Sequence, residues 1–229
     1  MATVITSTQY LAWTGLTATG ADLLALANHC AAVSDAILKY LRPYSPIPLT
    51  VTDITLDAPT GNVLLLPATP VRSITSLHLR PGADGDTTLF TSDDLLTAGA
   101  DYYMPVNAFD GWSRTGIVYR RGRSNWGQEW VYANSRSLAA TINPNRGAIK
   151  VTYAAGETSV PDAIRQAAQL MVSLIFNRRK TGMPVTSASL NGGSYSLAGP
   201  FTATAALQSP DVAGLLREFR AEVVHMPGD

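Results

Sequence analysis

Apolar and polar positions recur along this chain with two different periods. From Ala21 to Leu41, the residues Leu23, Leu26, Ala27, Cys30, Val33, Ile37 and Leu41 fall on one broad helical stripe, and Leu24, Ala31 and Leu38 fall on a second. Thr19 stands where a helix N-cap is expected, and Pro43, Pro46 and Pro48 in RPYSPIP forbid further helical hydrogen bonds. Between residues 49 and 153 the texture changes. Short β-rich runs (VTDITLD, NVLLLP, SITSLHL, DYYMPV, GIVYRR, EWVYA, AIKVTYAA) alternate with the turn signals APTGN, RPGADGD, FDGW and NPNRG. The helical period returns after Ser159, a candidate N-cap, with Pro161 at the first helical position and Asp162 near the positive end of the helix dipole. In this helix Ile164, Ala167, Ala168, Met171 and Ile175 make a stripe that Val172 and Leu174 widen beyond one face. One neighbouring element cannot cover all of it, so the helix is either central in the core or covered in part by another subunit.

Residues 181–201, TGMPVTSASLNGGSYSLAGPF, are poor in charge and bulky apolar side chains, which predicts a mobile loop or an extended arm ordered by a partner. Ser209, Pro210 and Asp211 then repeat a capping signature and open a short helix carrying Val212, Leu215, Leu216, Phe219 and Val223. The expected fold class is α+β: an antiparallel helical bundle with a large β-rich, sandwich- or barrel-like insertion and an extended C-terminal arm. The expected organisation is an N-terminal core helix in 1–48, a β-rich inserted domain in 49–153, a second core helix in 154–180, an arm in 181–208, and a C-terminal helix and tail in 209–229.

Composition narrows the function classes. The 229 residues carry no formal net charge and are 46% hydrophobic, an ordinary globular composition. No apolar run approaches the roughly 20 residues that span a bilayer, and no basic start precedes a signal-like stretch, so a soluble protein with no membrane partner is expected. The single cysteine, Cys30, excludes an intrachain disulfide and a multi-cysteine zinc site, and its helical spacing predicts buried packing. Neutrality conceals an asymmetry. Residues 1–110 hold ten acids against Lys39, Arg42, Arg72 and Arg80, whereas residues 111–150 hold seven basic residues against Glu129. This polarity can join segments of one copy, join two copies, or face nucleic acid; the first two suit a neutral chain better.

No arrangement of residues supports an enzyme. His29, His78 and His225 show no metal-ligand spacing. ADGD at 83–86 lacks the further oxygen ligands of a calcium loop and reads as a turn, and Gly192 and Gly193 lack a phosphate-cradle context. No cofactor or metal is expected. Trp112, Trp126, Trp130, Tyr119 and Tyr132 interleave with arginines, which either fills a β-sheet face or stacks on bases or sugars. The second possibility makes a β-rich glycan- or nucleic-acid-binding module an alternative function. Arg121, Arg123, Arg178 and Arg179 are candidate DNA or partner contacts; the last two also complement a helix C-terminus.

The order of elements is more informative than any single residue. LLALANHCAAVSDAILKYL ending in a tyrosine-arginine-proline region, DYYM at 101–104, IKVTYAAGETSVPDAIRQAAQLMVSLIFNRR at 149–179, the SASLNGGSYSL loop and SPDVAGLLREFR together resemble the head-tail connector (adaptor, or head-completion) proteins of tailed bacteriophages. The resemblance covers both ends of the chain well and its middle poorly. It implies a structural protein of the virion neck, assembled in the host cytoplasm. It further implies a homo-oligomeric ring, usually twelvefold, beneath the portal protein, joined to tail or neck proteins (a tail terminator, stopper or tail nozzle), through which double-stranded DNA passes. The C-terminal helix and tail, with Leu215, Leu216, Phe219, Arg220, Val223 and His225, would dock on the portal. Leu190, Asn191, Gly192, Gly193 and Tyr195 would form an arm toward a neighbour or the lumen. A heterologous ring buries two different faces of every subunit, which is the use expected for Leu24, Ala31, Leu38, Val172 and Leu174.

Overall fold

The computed structural model describes residues 3–59, 61–80, 83–122, 126, 145–181, 187–190, 193–196 and 202–221. The chain is α+β, with antiparallel sheets, and divides into two compact units: Met1–Ile47 with Glu157–Asp229, and Pro48–Gly156.

The first unit is helical. Helix α1, Ser7–Thr14, begins at a capping box in which Thr6 accepts from the Gln9 backbone and Gln9 accepts from the Thr6 backbone. Nothing in the apolar periodicity announces so short a helix, but Thr6-x-x-Gln9 was a readable signal. Helix α2, Gly20–Tyr40, starts after Thr19, whose side chain makes no capping bond. It turns Leu26, Cys30, Val33 and Ile37 into the core. Ser34 donates to the Cys30 carbonyl at 2.8 Å and accepts from the Val4 and Ile5 backbones, so the segment before α1 is pinned to α2 by one hydroxyl. Helix α2 is long and apolar enough to pass as a membrane span by length and composition. Its buried stripe packs against other helices of the unit.

Helix α3, Asp162–Thr181, is central. Ile164, Ala167, Ala168, Met171 and Val172 are fully enclosed and Ile175 nearly so, against α2 and the C-terminal helices. Pro161 offers its carbonyl to the Arg165 backbone at 2.9 Å, so it takes the cap position expected of Ser159, and the helix starts at Asp162, one residue later than expected. Arg165 also pairs with Asp162 at 2.9 Å. The expected arm is not wholly irregular: β7, Ser187–Leu190, and β8, Gly193–Ser196, form an antiparallel hairpin. After it the short helix α4, Ala203–Ala206, buries Ala206 in the helical core. Helix α5, Pro210–Ala221, does carry its proline in the first helical position, with the Ser209 carbonyl accepting from Ala213.

The second unit is β-rich. One three-stranded sheet has the order β1 (Leu49–Leu56), β6 (Ile149–Ala155), β3 (Val71–Leu79), and the other has the order β2 (Val63–Leu65), β5 (Ile117–Arg120), β4 (Tyr102–Tyr103). Six of the seven β-rich runs thus contain a strand; the seventh, 129–133, lies outside the described residues. Strand β6 alternates strictly, burying Ile149, Val151, Tyr153 and Ala155. These residues meet Leu77, Leu64, Val118 and Tyr102 in a single cluster fed by both sheets. Burial pushes the Tyr153 hydroxyl up to about 12, and that hydroxyl accepts from the Ala68 backbone at 3.1 Å.

Candidate functional site

The surface that stands out in the helical unit is the outward face of α2. Opposite the buried stripe, Leu24 is 66% exposed and Ala31 is also exposed, while Leu23 and Ala27, which their spacing assigns to the buried stripe, are left exposed beside it. Asn28 and the Asp35–Lys39 pair, 2.7 Å apart, are the polar interruptions. Just before the helix, Trp13 and Leu16 are nearly half exposed. A soluble helix usually reserves this face for charge, so leucine and small alanines here leave apolar surface that the chain's own core does not cover. Of the residues expected to contact a neighbour, Leu24 and Ala31 are therefore open, Leu38 is half-buried against the core and Leu174 is half-buried.

Two expectations are overturned by burial. Val172 is fully enclosed by the chain's own helices and has no surface to offer a neighbour. The breadth of the α3 stripe reflects a central position rather than a second subunit. Leu216 is likewise fully enclosed, as is Val212 of the same helix, so α5 is part of the core and not a detachable docking element. Phe219 packs on Tyr44 with ring centroids 5.4 Å apart, and Leu215 is half-buried. Arg220 is the exposed member, lying over the Tyr40 ring at 4.9 Å. Val223 and His225 lie outside the described residues. Leu190, Gly193 and Tyr195 belong to the β7–β8 hairpin, and Asn191 and Gly192 between them lie outside the described residues. Arg178 and Arg179 are in the last turns of α3, and Arg123 lies outside the described residues.

The aromatic and arginine pattern resolves mostly into packing. Trp126 is 1% exposed, donates its indole N–H to the Asn62 carbonyl at 3.0 Å, and lies under the Arg120 guanidinium at 5.4 Å. It cannot stack on a base or a sugar. Trp112 is half-buried beneath Arg114, which pairs with Asp110 at 2.6 Å. Tyr119 stacks on Tyr103 at 5.0 Å. Trp130 and Tyr132 lie outside the described residues.

Among the described residues no group of three His, Cys, Asp or Glu side chains could hold a metal. His78 packs edge-on against Phe90. Asp84 pairs with Arg146, and Asp86 accepts from Thr88, which holds its carboxyl below the usual range. The ADGD segment is a turn. Cys30 is buried as its spacing suggested, and burial pushes its thiol up to about 11, far from a reactive thiolate.

No family model and no curated protein matches the chain. Solved structures similar to it include the following three. One is a chain from the neck of an empty gene transfer agent (GTA) particle computed with C6 symmetry, 17% identical, with a TM-score of 0.49, covering 99% of this chain and 93% of that one. The second is from the virion of the native particle, at 16% identity and a TM-score of 0.46, covering 99% of this chain and 93% of that one. The third is from the neck of the native particle computed with C12 symmetry, at 17% identity and a TM-score of 0.43, covering 90% and 85%.

Proposed function

We propose that this chain is a structural protein of the neck of a tailed-phage-like particle, an adaptor whose copies form a ring between portal and tail around the DNA channel. The observation that carries the reading is the outward face of α2, where Leu24 and Ala31, together with the neighbouring Leu23 and Ala27, leave apolar helix surface exposed. A head-to-tail ring uses two unlike surfaces per copy, and such a helix face is suited to be one of them. The neck motifs of the sequence, distributed over both ends of the chain, support the same assignment. In this proposal the helical bundle carries the β-rich insertion, the ring is twelvefold, and the residues after Ala221 dock on the portal. Zero net charge suits a channel through which DNA slides without being held. Many modest portal contacts then act together, because the later ones in a partly seated ring are effectively intramolecular.

The test is to mix the purified chain with portal rings and image the product by electron microscopy. A closed ring seated on the portal is expected. A chain that binds neither portal nor tail rings in any assembly state would refute the proposal.

A further inference from the structure

The sheet β2–β5–β4 carries apolar residues on both faces, with Arg120 on the inward one. Its inward residues Leu64, Val118 and Tyr102 enter the β-rich core. On the outward face, Leu65 stands opposite Ile117, and Tyr119 stands between Val63 and Tyr103. Leu65 is 51% and Tyr103 43% exposed, the two tyrosine rings stack with 13° between their planes, and the Arg121 guanidinium lies 5.5 Å from the Tyr103 ring. Arg121 donates to the Gly99 carbonyl and pairs with no carboxylate among the described residues. An antiparallel sheet of a soluble unit normally keeps one face polar, so this face is built to be covered.

A second surface of the same unit carries the complementary features. Residues 86–95 expose Leu89 and Leu95 beside Asp86 and Asp93, neither of which pairs with a cation among the described residues. The nearby cations are occupied: Arg80 pairs with Asp94 at 3.2 Å, and the Lys150 ammonium sits 5.2 Å over the Phe90 ring. This segment is tied to β3, where the Leu96 backbone donates to the Leu77 carbonyl at 2.8 Å and Leu95 bridges His78. Strand β3 belongs to the other sheet, and the outward face of β2–β5–β4 points away from the core that the sheets share.

We propose that the outward face of β2–β5–β4 in one copy binds the 86–95 segment of a second copy, with Leu89 and Leu95 against Leu65 and the tyrosine pair, and Asp86 and Asp93 facing Arg121. The occupant is a second copy because the apolar surface and the acidic charges that complement Arg121 are on the chain itself. Such a contact is heterologous and leaves each copy with one free face and one free segment, so it propagates until it closes. The apolar centre supplies the burial, and the opposed charges fix register and orientation. The inference rests on the head-to-tail reading above and identifies one of its contacts.

The test uses the intact chain in sedimentation velocity over a concentration series, with Arg121→Glu, Asp93→Arg and the double reversal. Each single reversal is expected to raise the midpoint of self-association by about tenfold or more, and the double reversal to recover most of it, since every contact takes one charge from each copy. Leu89→Cys with Tyr103→Cys is expected to give a ladder of cross-linked species with a short bismaleimide, against a silent background from buried Cys30. Self-association unchanged by either single reversal overturns the contact while leaving the ring reading intact. A wild-type chain that stays monomeric, with a cysteine pair that yields no cross-linked species, also overturns it, and ring formation on portal rings then decides the broader reading separately.

Discussion

At Gly147 the backbone has φ +53°, and a Cβ placed there would lie 2.2 Å from the Gly85 nitrogen. The Gly147 N–H is donated to the Asp57 carboxylate at 2.7 Å, and the neighbouring Arg146 pairs with Asp84. Backbone meets backbone here, so no side chain can yield to make room. Gly147→Ala is expected to lower the stability of the β-rich unit by more than the roughly 1 kcal/mol of an ordinary glycine-to-alanine misfit at positive φ, read as a lower urea midpoint at unchanged slope. An unchanged midpoint would show that the two turns separate freely. Neither turn announces this contact in the sequence: NPNRG and RPGADGD read as independent turns, and their close approach depends on strands that pair across the whole unit.

Among the elements, α5 most changes what the sequence suggested. An amphipathic helix near a C-terminus, following a segment of weak apolar content, reads as a docking appendage. Its apolar residues instead complete the surface of α3, and Val212 and Leu216 are as buried as Met171. Truncation before Pro210 is therefore expected to unfold the helical unit, and Leu216→Ala to cost about 2–5 kcal/mol. Cys30 reports this directly: a thiol reagent should label it slowly in the intact chain and rapidly in the truncated one, whereas equally slow labelling in both would return α5 to the role of an appendage. Helix α2 was legible because its period is sustained over five turns and closed by the prolines that follow it. Helix α1 was not, since its length gives no period to read and its signal is one capping box. The hairpin of β7 and β8 carried an Asn-Gly pair between its strands, a strong hairpin signal outweighed by the low apolar content around it.

Across the whole molecule, the alternation of textures marked a helical part and a β-rich part, and each has its own core. The candidate assembly surfaces were half legible. The second stripe of α2 could be read from its spacing, and Leu24 and Ala31 do remain open, but spacing cannot tell which stripe of a helix the rest of the fold will cover. For that reason Val172 was misassigned. The outward sheet face was hidden for a different reason: which strands share a face depends on register between segments some 50 residues apart, and no local pattern specifies it.

The helical unit is assembled from segments that leave the ribosome far apart in time. Helix α2 is complete at Tyr40 but must wait for α3, which begins at Asp162, before Leu26, Val33 and Ile37 have more than Val4, Ile5 and Tyr10 of the N-terminal segment to pack against. With about 120 residues in between and synthesis at roughly 5–20 residues per second, the wait is on the order of 6–24 s. Ribosome-bound chains arrested near residue 160 are accordingly expected to recruit chaperones through α2 and to release them once α3 has emerged. Equal chaperone crosslinking at both lengths would mean that another segment hides the greasy stripe in the meantime. During that interval the newborn chain displays the composition of a membrane-inserting helix to every targeting factor near the exit tunnel, and Asp22, Asp35 and Lys39 are the charges on α2 that argue against its capture.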